Sequence, residues 1–266
     1  MIERSDFIFE MADVYHAKAV DYLSSHQLMR YEDSPALYAY RLEHPQEDTT
    51  AFRFGRACHS YILEGQDVFD AEYIVANDPD SGAFNKTTKK PYGYDTQAWK
   101  KWEKTQGKTG ITETDFETVK AMGEAVKNHQ FAAELLADGF PEAVLRETYC
   151  GTPCQIRIDW TNNVRETVVD LKTISDITRF ENQFRNFRYA NQMAFYAGVW
   201  MAKFGSLPSV SMIAVETAAP YRVGVWTLTP ATLKDAKLFN ETTIPKFITS
   251  KQSGIYPTNY ENERTI

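Results

Sequence analysis

Apolar residues recur along this chain at two spacings, three to four apart over most of its length and two apart over one central block, and the changes of spacing outline its elements. In YHAKAVDYLSSHQLMRYEDSPALYAYRLEHP, Ser24 or Ser25 is placed to N-cap a helix carrying Leu28, Met29 and Tyr31, because a serine hydroxyl satisfies amides that the first turn leaves open. Ser34-Pro35 starts a second helix, with serine as the cap and proline at the first helical position, where its missing N–H costs nothing. Thr50 to Glu64 predicts a helix with Phe54, Cys58, Tyr61 and Ile62 in one stripe, stopped by Gly65. Thr112 to Asp138 predicts a longer helical stretch, with Phe116, Val119, Met122, Val126, Phe131 and Leu135 at helical spacing, ending at Gly139-Phe140-Pro141.

The period then shortens to two. VLRETYC, CQIRIDW and VRETVVDLKT, separated by turns at Gly151-Thr152-Pro153 and Thr161-Asn162-Asn163, predict three short strands in an antiparallel meander. Ser175 is the expected cap for helices over Asp176 to Phe187 and Tyr189 to Phe204, which Gly205-Ser206-Leu207-Pro208 ends. Val210 to Val215 predicts an apolar strand, Tyr221 to Leu228 its edge partner, and Thr229-Pro230 starts a last helix toward Ile248. No repeat or break in composition divides the chain, so one domain over residues 1–266 is expected.

Composition adds limits. With 43% hydrophobic and 24% charged residues the chain can build an ordinary core without staples. Cys58, Cys150 and Cys154 form no CxxC pair and an odd count, which fits neither a disulfide framework nor a zinc ribbon and points to a reducing, cytoplasmic setting. MIERSDFIFEMADVYH lacks the basic start and apolar core of a signal peptide, and no run approaches the ~18 apolar residues of a membrane span, so a soluble protein without a membrane partner is expected. A net charge of −7 argues mildly against a polyanion partner. Clustered acids that bind two divalent cations would remove about four units of that charge, so its distribution matters more than its sum.

Two stretches stay open on the residues alone. Ser24, Ser25 and Arg30 offer amides, hydroxyls and a guanidinium to a phosphate, or are parts of two capped packing helices. Between Asp78 and Gly110, Lys86, Lys89, Lys90, Lys100, Lys101, Lys104 and Lys108 are interleaved with Phe84, Tyr92, Tyr94, Trp99 and Trp102. That mixture suits a nucleic-acid strand, through phosphate neutralisation and base stacking, and equally a solvated loop followed by an amphipathic helix. The GKT at 107–109 is no phosphate loop, because Trp102 stands where the motif needs its first glycine.

The meander holds the chemistry. Residues two apart on a strand share a face, so Asp170 and Lys172 project together while Leu171 points to the other side. Asp159 ends the preceding strand, and its carboxylate converges on Asp170 if the register allows. Mg²⁺ takes oxygen ligands, often one or two carboxylates, and Asp159, Asp170 and the Leu171 carbonyl are candidates for them. Lys172 is the candidate to orient or deprotonate a water, its pKa lowered by desolvation or its charge held by the acids. Gln192 and Tyr196 fall four apart on one helical face, where they can brace the lysine or touch a phosphate. His59, beside the apolar stripe of its helix, is by itself more a packing residue than a ligand.

In order, His59 in GRACHSYILEG, Asp159 in QIRIDW, the DLK of Asp170 to Lys172, and Gln192 with Tyr196 in NQMAFY resemble the PD-(D/E)XK nucleases of the RecB-like branch. The opening YH…YLSSHQLMRYEDSPALY and the size resemble most its RecE, or exonuclease VIII, group, over nearly the whole chain. The resemblance implies an α/β (α+β) restriction-endonuclease-like core with a central mixed sheet flanked by helices. It makes His59 a metal ligand with Asp159, Asp170 and the Leu171 carbonyl, and Lys172 the catalytic lysine, with Glu147 on the first strand as a possible support. Mg²⁺, or Mn²⁺ in its place, would bind as one or two ions per subunit. Relatives of this kind digest one strand of linear duplex DNA from the 5′ end and leave a 3′ tail for a RecT-like annealing partner, as trimeric or tetrameric rings. Three cysteines do not supply the iron–sulfur cluster of some branch members. Arg179, Arg185, Arg188 and the Lys86 to Lys108 set are candidates to line a DNA channel. A structure- or site-specific endonuclease on the same fold and a non-catalytic scaffold that binds DNA ends are the alternatives.

Overall fold

The computed structural model describes residues 2–44 and 48–263. Its strands are β1 (Tyr73–Ala76), β2 (Thr109–Thr112), β3 (Phe140–Tyr149), β4 (Thr152–Asn162), β5 (Thr167–Ile174), β6 (Ser209–Glu216) and β7 (Val223–Thr227). β1 and β2 pair in parallel as a separate small sheet. β3 to β7 lie side by side in sequence order, antiparallel except for the β5–β6 pair. A parallel pair needs a crossover, and the helices Phe180–Asn186 and Tyr189–Phe204 supply it. This is the expected mixed α/β architecture.

The alternation along β5 divides the interior. Val168 and Ile174 join Ile156, Ile158, Met193, Phe195 and Trp200 in a core under the Tyr189–Phe204 helix. Val169 and Leu171 join Cys58, Phe69, Val119 and Met122 in a second core on the other face, under the Thr50–His59 and Glu113–Asn128 helices. With both faces covered, the inner strand β6 is buried at every position after Ser209.

The caps follow the local chemistry. Ser24 forms a reciprocal capping box with Gln27 at the start of the Ser25–Asp33 helix, Ser34 caps Pro35–Glu43, and Thr229 caps Pro230–Ser253. Three expectations shift. Asp176, not Ser175, provides the cap after β5, accepting from the Thr178 N–H. The stretch after Thr112 is two helices, Glu113–Asn128 and Gln130–Leu136, because His129 adopts an extended backbone and takes the Ala132 N–H on its own ring. That break turns Phe131 out to 62% exposure. β3 begins at Phe140 instead of Val144, since Pro141 lacks a donor yet is tolerated on an edge strand. Gly139, at φ 150°, lies so close to β4 that an added Cβ would sit 1.9 Å from the Thr161 carbonyl oxygen.

A satellite layer stands beside the second core. Ala76, Ala83, Phe84, Trp99 and Trp102 form its centre, joining β1, the loop after it and the Gln97–Gln106 helix. Gly110 on β2 admits both indoles, because a Cβ there would meet Trp102 at 2.6 Å and Trp99 at 2.8 Å. The aromatics between residues 78 and 110 are therefore packing groups. No helix among the described residues is long and apolar enough to cross a membrane.

Candidate active site

The site forms where β4 and β5 part. Their pairing runs Asn162↔Thr167, Thr161↔Val168, Trp160↔Val169 and stops, leaving Asp159 and Asp170 as the next facing positions. Asp159 takes over the ladder with its side chain, its Oδ2 accepting from the Leu171 N–H at 2.8 Å. The register brings the two aspartates to one end of the sheet. Neighbouring β3 adds a third carboxylate. Its register with β4 places Pro141 opposite Trp160 and Ala143 opposite Ile158, so Glu142 falls opposite Asp159. Glu142 has φ 53°, an uncommon conformation for a non-glycine residue and one that recurs at functional sites.

His59 arrives from the other layer. It ends the Thr50–His59 helix, and the chain continues through a wider π turn, Ser60–Glu64, to Gly65 at φ 92°. Such turns frequently mark functional positions. His59 Nδ1 lies 3.6 Å from Asp159 Oδ2, and the ring also meets the Leu171 backbone. Burial lowers the His59 pKa while Asp159 opposes the shift, which favours the neutral imidazole that a metal needs. One ligand atom each from His59, Glu142 and Asp159 lies within 4.8 Å of the others.

Asp170 and Lys172 lie on the opposite side of β5 from Leu171, facing the Tyr189–Phe204 helix. Lys172 Nζ donates to Asp170 Oδ1 at 2.8 Å, and Gln192 Nε2 donates to the same oxygen at 3.0 Å. Asp170 is 1% exposed. Its Oδ2 lies 2.8 Å from Nζ yet accepts no hydrogen bond. Desolvation pushes the Asp170 pKa up to about 6, against the pull of Lys172 and with a further push from Asp159. The Lys172 pKa is raised: desolvation opposes this, but Asp170 and Asp159 together hold the proton. Of the two expectations for this lysine, a charge held by the acids applies. The ammonium also sits 5.0 Å from the centre of the Tyr189 ring. Tyr196 is buried beside Gln192, its pKa raised first by desolvation.

These residues fit a divalent cation. Glu142 has its pKa raised by burial first, against Arg157, with Asp159, Glu64 and Glu72 adding to the rise. The carboxylates of Glu142 and Asp159, pressed together beside His59, are an environment that a small dication relieves. Oxygen ligands with one imidazole suit a hard or borderline metal.

Several candidates fall elsewhere. Glu147 is corrected as a support: it lies five residues from Glu142, opposite Cys154, and pairs with Lys203 at 3.4 Å. Ser24 is spent on its capping box and Ser25 is 2% exposed, so neither hydroxyl is free for a phosphate. Arg30 is exposed and one turn from His26 on the same helix face. Arg179, Arg185 and Arg188 are engaged with Asp176, Asn182 and Asp33. The sequence reading missed two residues. Glu142 fell in the unassigned gap between Gly139-Phe140-Pro141, where the helical stretch was expected to end, and the strand expected from Val144, although counting back from the Gly151 turn puts it opposite Asp159. His26, exposed on the Ser25–Asp33 helix, has its pKa lowered, by desolvation first and then by Lys172 and Arg30, with Asp159 opposing.

Over residues 24–263 the sequence matches the family described as a PDDEXK-like domain of unknown function (DUF3799). The chain belongs to that family. Among solved structures, the "Putative exonuclease" from Eubacterium rectale superposes with a TM-score of 0.69 at 15% identity, covering 97% of this chain and 96% of that one. At that identity the likeness speaks for the fold. No curated protein matches the sequence. Family and fold together give the chain a PDDEXK-like, nuclease-type fold. The group of His59, Glu142 and Asp159 is its candidate metal centre.

Proposed function

We propose that this protein is a Mg²⁺-dependent exodeoxyribonuclease that degrades one strand of linear duplex DNA from the 5′ end and leaves 3′ tails for strand annealing. The observation that carries the reading is the convergence of Asp159, Asp170 and Lys172 where β4 and β5 part, with His59 against Asp159. A bound divalent ion supplies an activated water and relief of charge on the scissile phosphate. His59, Glu142, Asp159, Asp170 and the Leu171 carbonyl are the groups to hold one or two such ions, with Mn²⁺ as a substitute.

Lys172 keeps its proton between Asp170 and the Tyr189 ring, so its role is to orient the attacking water and offset phosphate charge. Gln192 fixes the Asp170 carboxylate and thereby the lysine, and Tyr196 closes the site beneath it. Arg30 and His26 belong to the entry side, where a 5′ phosphate would meet them. Cytoplasmic location, a RecT-like annealing partner and assembly as a trimeric or tetrameric ring complete the reading, on the strength of the sequence resemblance.

Linear and covalently closed duplexes, labelled at the 5′ or 3′ end, are incubated with Mg²⁺ with and without chelator, alongside Lys172→Ala. The reading expects nucleotides from the 5′ end of linear DNA, lost with chelator or with the substitution. Cutting of closed circles would make it an endonuclease. No Mg²⁺-dependent product from any duplex would leave an end-binding scaffold.

A further inference from the structure

We propose that the satellite layer of β1, β2 and the Gln97–Gln106 helix is a clamp for the phosphate backbone of the duplex ahead of the cut, through Lys86, Lys90, Lys101 and Lys104 and without base contacts. The proposal rests on the DNA-cleaving reading above and adds where the uncut duplex is held. Its first support is the segregation of the segment. The aromatics that would stack on bases are turned inward: Trp99 is fully buried, Trp102 and Phe84 nearly so, and the Tyr94 hydroxyl donates to Asp115. What remains outside is charge. The Lys101 and Lys104 side chains lie on the solvent side of a helix whose other side is anchored by both indoles.

Lys86 and Lys90 sit in the tight turn that Phe84 and Pro91 close, held by the Asn85 N–H bond to the Lys90 carbonyl at 2.9 Å. Phe84 inserts into the same core as the indoles, so the turn and the helix form one body. The four lysines are exposed, and among the described residues none of them has an ion-pair partner.

The second support is which acids are already used. The segment from Asp78 to Gly110 carries seven lysines against Asp78, Asp80, Asp95 and Glu103, within a chain whose net charge is −7. Asp80 is paired with Lys89, and Glu103 is taken by Arg53 and the Gly110 N–H. Exposed ammonium groups such as Lys86, Lys90, Lys101 and Lys104 on a protein of net negative charge attract polyanions locally while the rest of the surface repels them.

The third support is position. Arg53 ties the satellite to the helix that delivers His59, donating to Glu103 and to the Gly110 carbonyl. Six residues separate Arg53 from His59, about 9 Å along a helix axis. The layer is thereby fastened to the helix that ends at His59. Ammonium groups on flexible stems suit a moving backbone better than fixed bidentate contacts, as an enzyme that advances along a strand requires.

The test compares full-length wild type with the combined variant Lys86→Gln, Lys90→Gln, Lys101→Gln and Lys104→Gln. Binding of a linear duplex is followed by anisotropy in Ca²⁺ across a salt series, and cleavage is followed in Mg²⁺. A control variant makes the same change at Lys127, Lys234, Lys237 and Lys246. Expected are a 10- to 100-fold loss of affinity at moderate salt, with a log–log salt slope shallower by about 2 to 4, close to 0.9 per lost contact. Melting temperature and the metal-induced rise in it stay unchanged. An unchanged slope and affinity, in a protein that still cleaves DNA, overturns the clamp and leaves the nuclease reading intact. An equal loss in the control variant also overturns it, by assigning the effect to total charge. Affinity that depends on base composition overturns the phosphate-only contact. If wild type neither binds nor cuts DNA, the clamp falls together with the nuclease reading.

Discussion

At the end of the sheet where β4 and β5 part, charged side chains turn inward and are used on one another; on the satellite layer Lys86, Lys90, Lys101 and Lys104 turn outward into solvent. Asp170, Lys172 and Gln192 form one buried hydrogen-bonded set, whereas Lys86, Lys90, Lys101 and Lys104 stand in solvent around a core of indoles. The difference is one of dielectric. A charge withdrawn from water is costly unless paired, so buried charges are fixed in position and able to do chemistry. A charge left in water is cheap, mobile and screened, and suits contact with a backbone that has to slide.

The comparison breaks most sharply at Lys172. Lys172→Ala should lower single-turnover cleavage by about 10²- to 10⁴-fold while duplex affinity in Ca²⁺ changes little. An equal loss of affinity would mean that the two regions do not divide the labour. Next comes the core of the satellite. Trp99→Ala should cost ~3–5 kcal/mol of stability, comparable with other buried tryptophans. It should weaken duplex binding yet preserve the rise in melting temperature that a divalent metal produces, and loss of that rise would show the layers to be one cooperative unit.

Glu142→Gln should weaken metal binding about 10- to 100-fold, read from the metal-induced thermal shift. Tyr189→Leu should lower kcat about 3- to 30-fold with KM unchanged, and Tyr189→Phe, which keeps the ring face, should restore most of it. A deficit shared by Tyr189→Phe would assign the effect to the hydroxyl. The smallest effect belongs to Glu147→Gln, within ~0.5 kcal/mol of stability and with unchanged activity, because a half-exposed pair with Lys203 contributes little. The two glutamates of β3 thus test the register directly.

The sequence by itself determined the elements and the residue types that carry the chemistry. Alternation placed Asp170 and Lys172 on one side of a strand with Leu171 on the other, and serine, threonine and proline at helix starts set the caps, because both depend on neighbours a few residues away. The tertiary structure alone decided which distant groups meet. The register stopping at Trp160↔Val169 joins Asp159 to Asp170 across a turn, and the start of β3 at Phe140 brings in Glu142 and leaves Glu147 aside. His59 was one helical histidine until the packing of two layers set it against Asp159, and His26 was silent until its helix faced the same space. The aromatics among the lysines read equally as stacking or as packing groups. Their burial against Gly110 decided between the two, since a glycine on β2, far along the chain from β1, opens the space that both indoles fill. Local patterns fix what each residue is able to do, and long-range contacts, whose entropy of closure is settled only by the whole core, fix what it does.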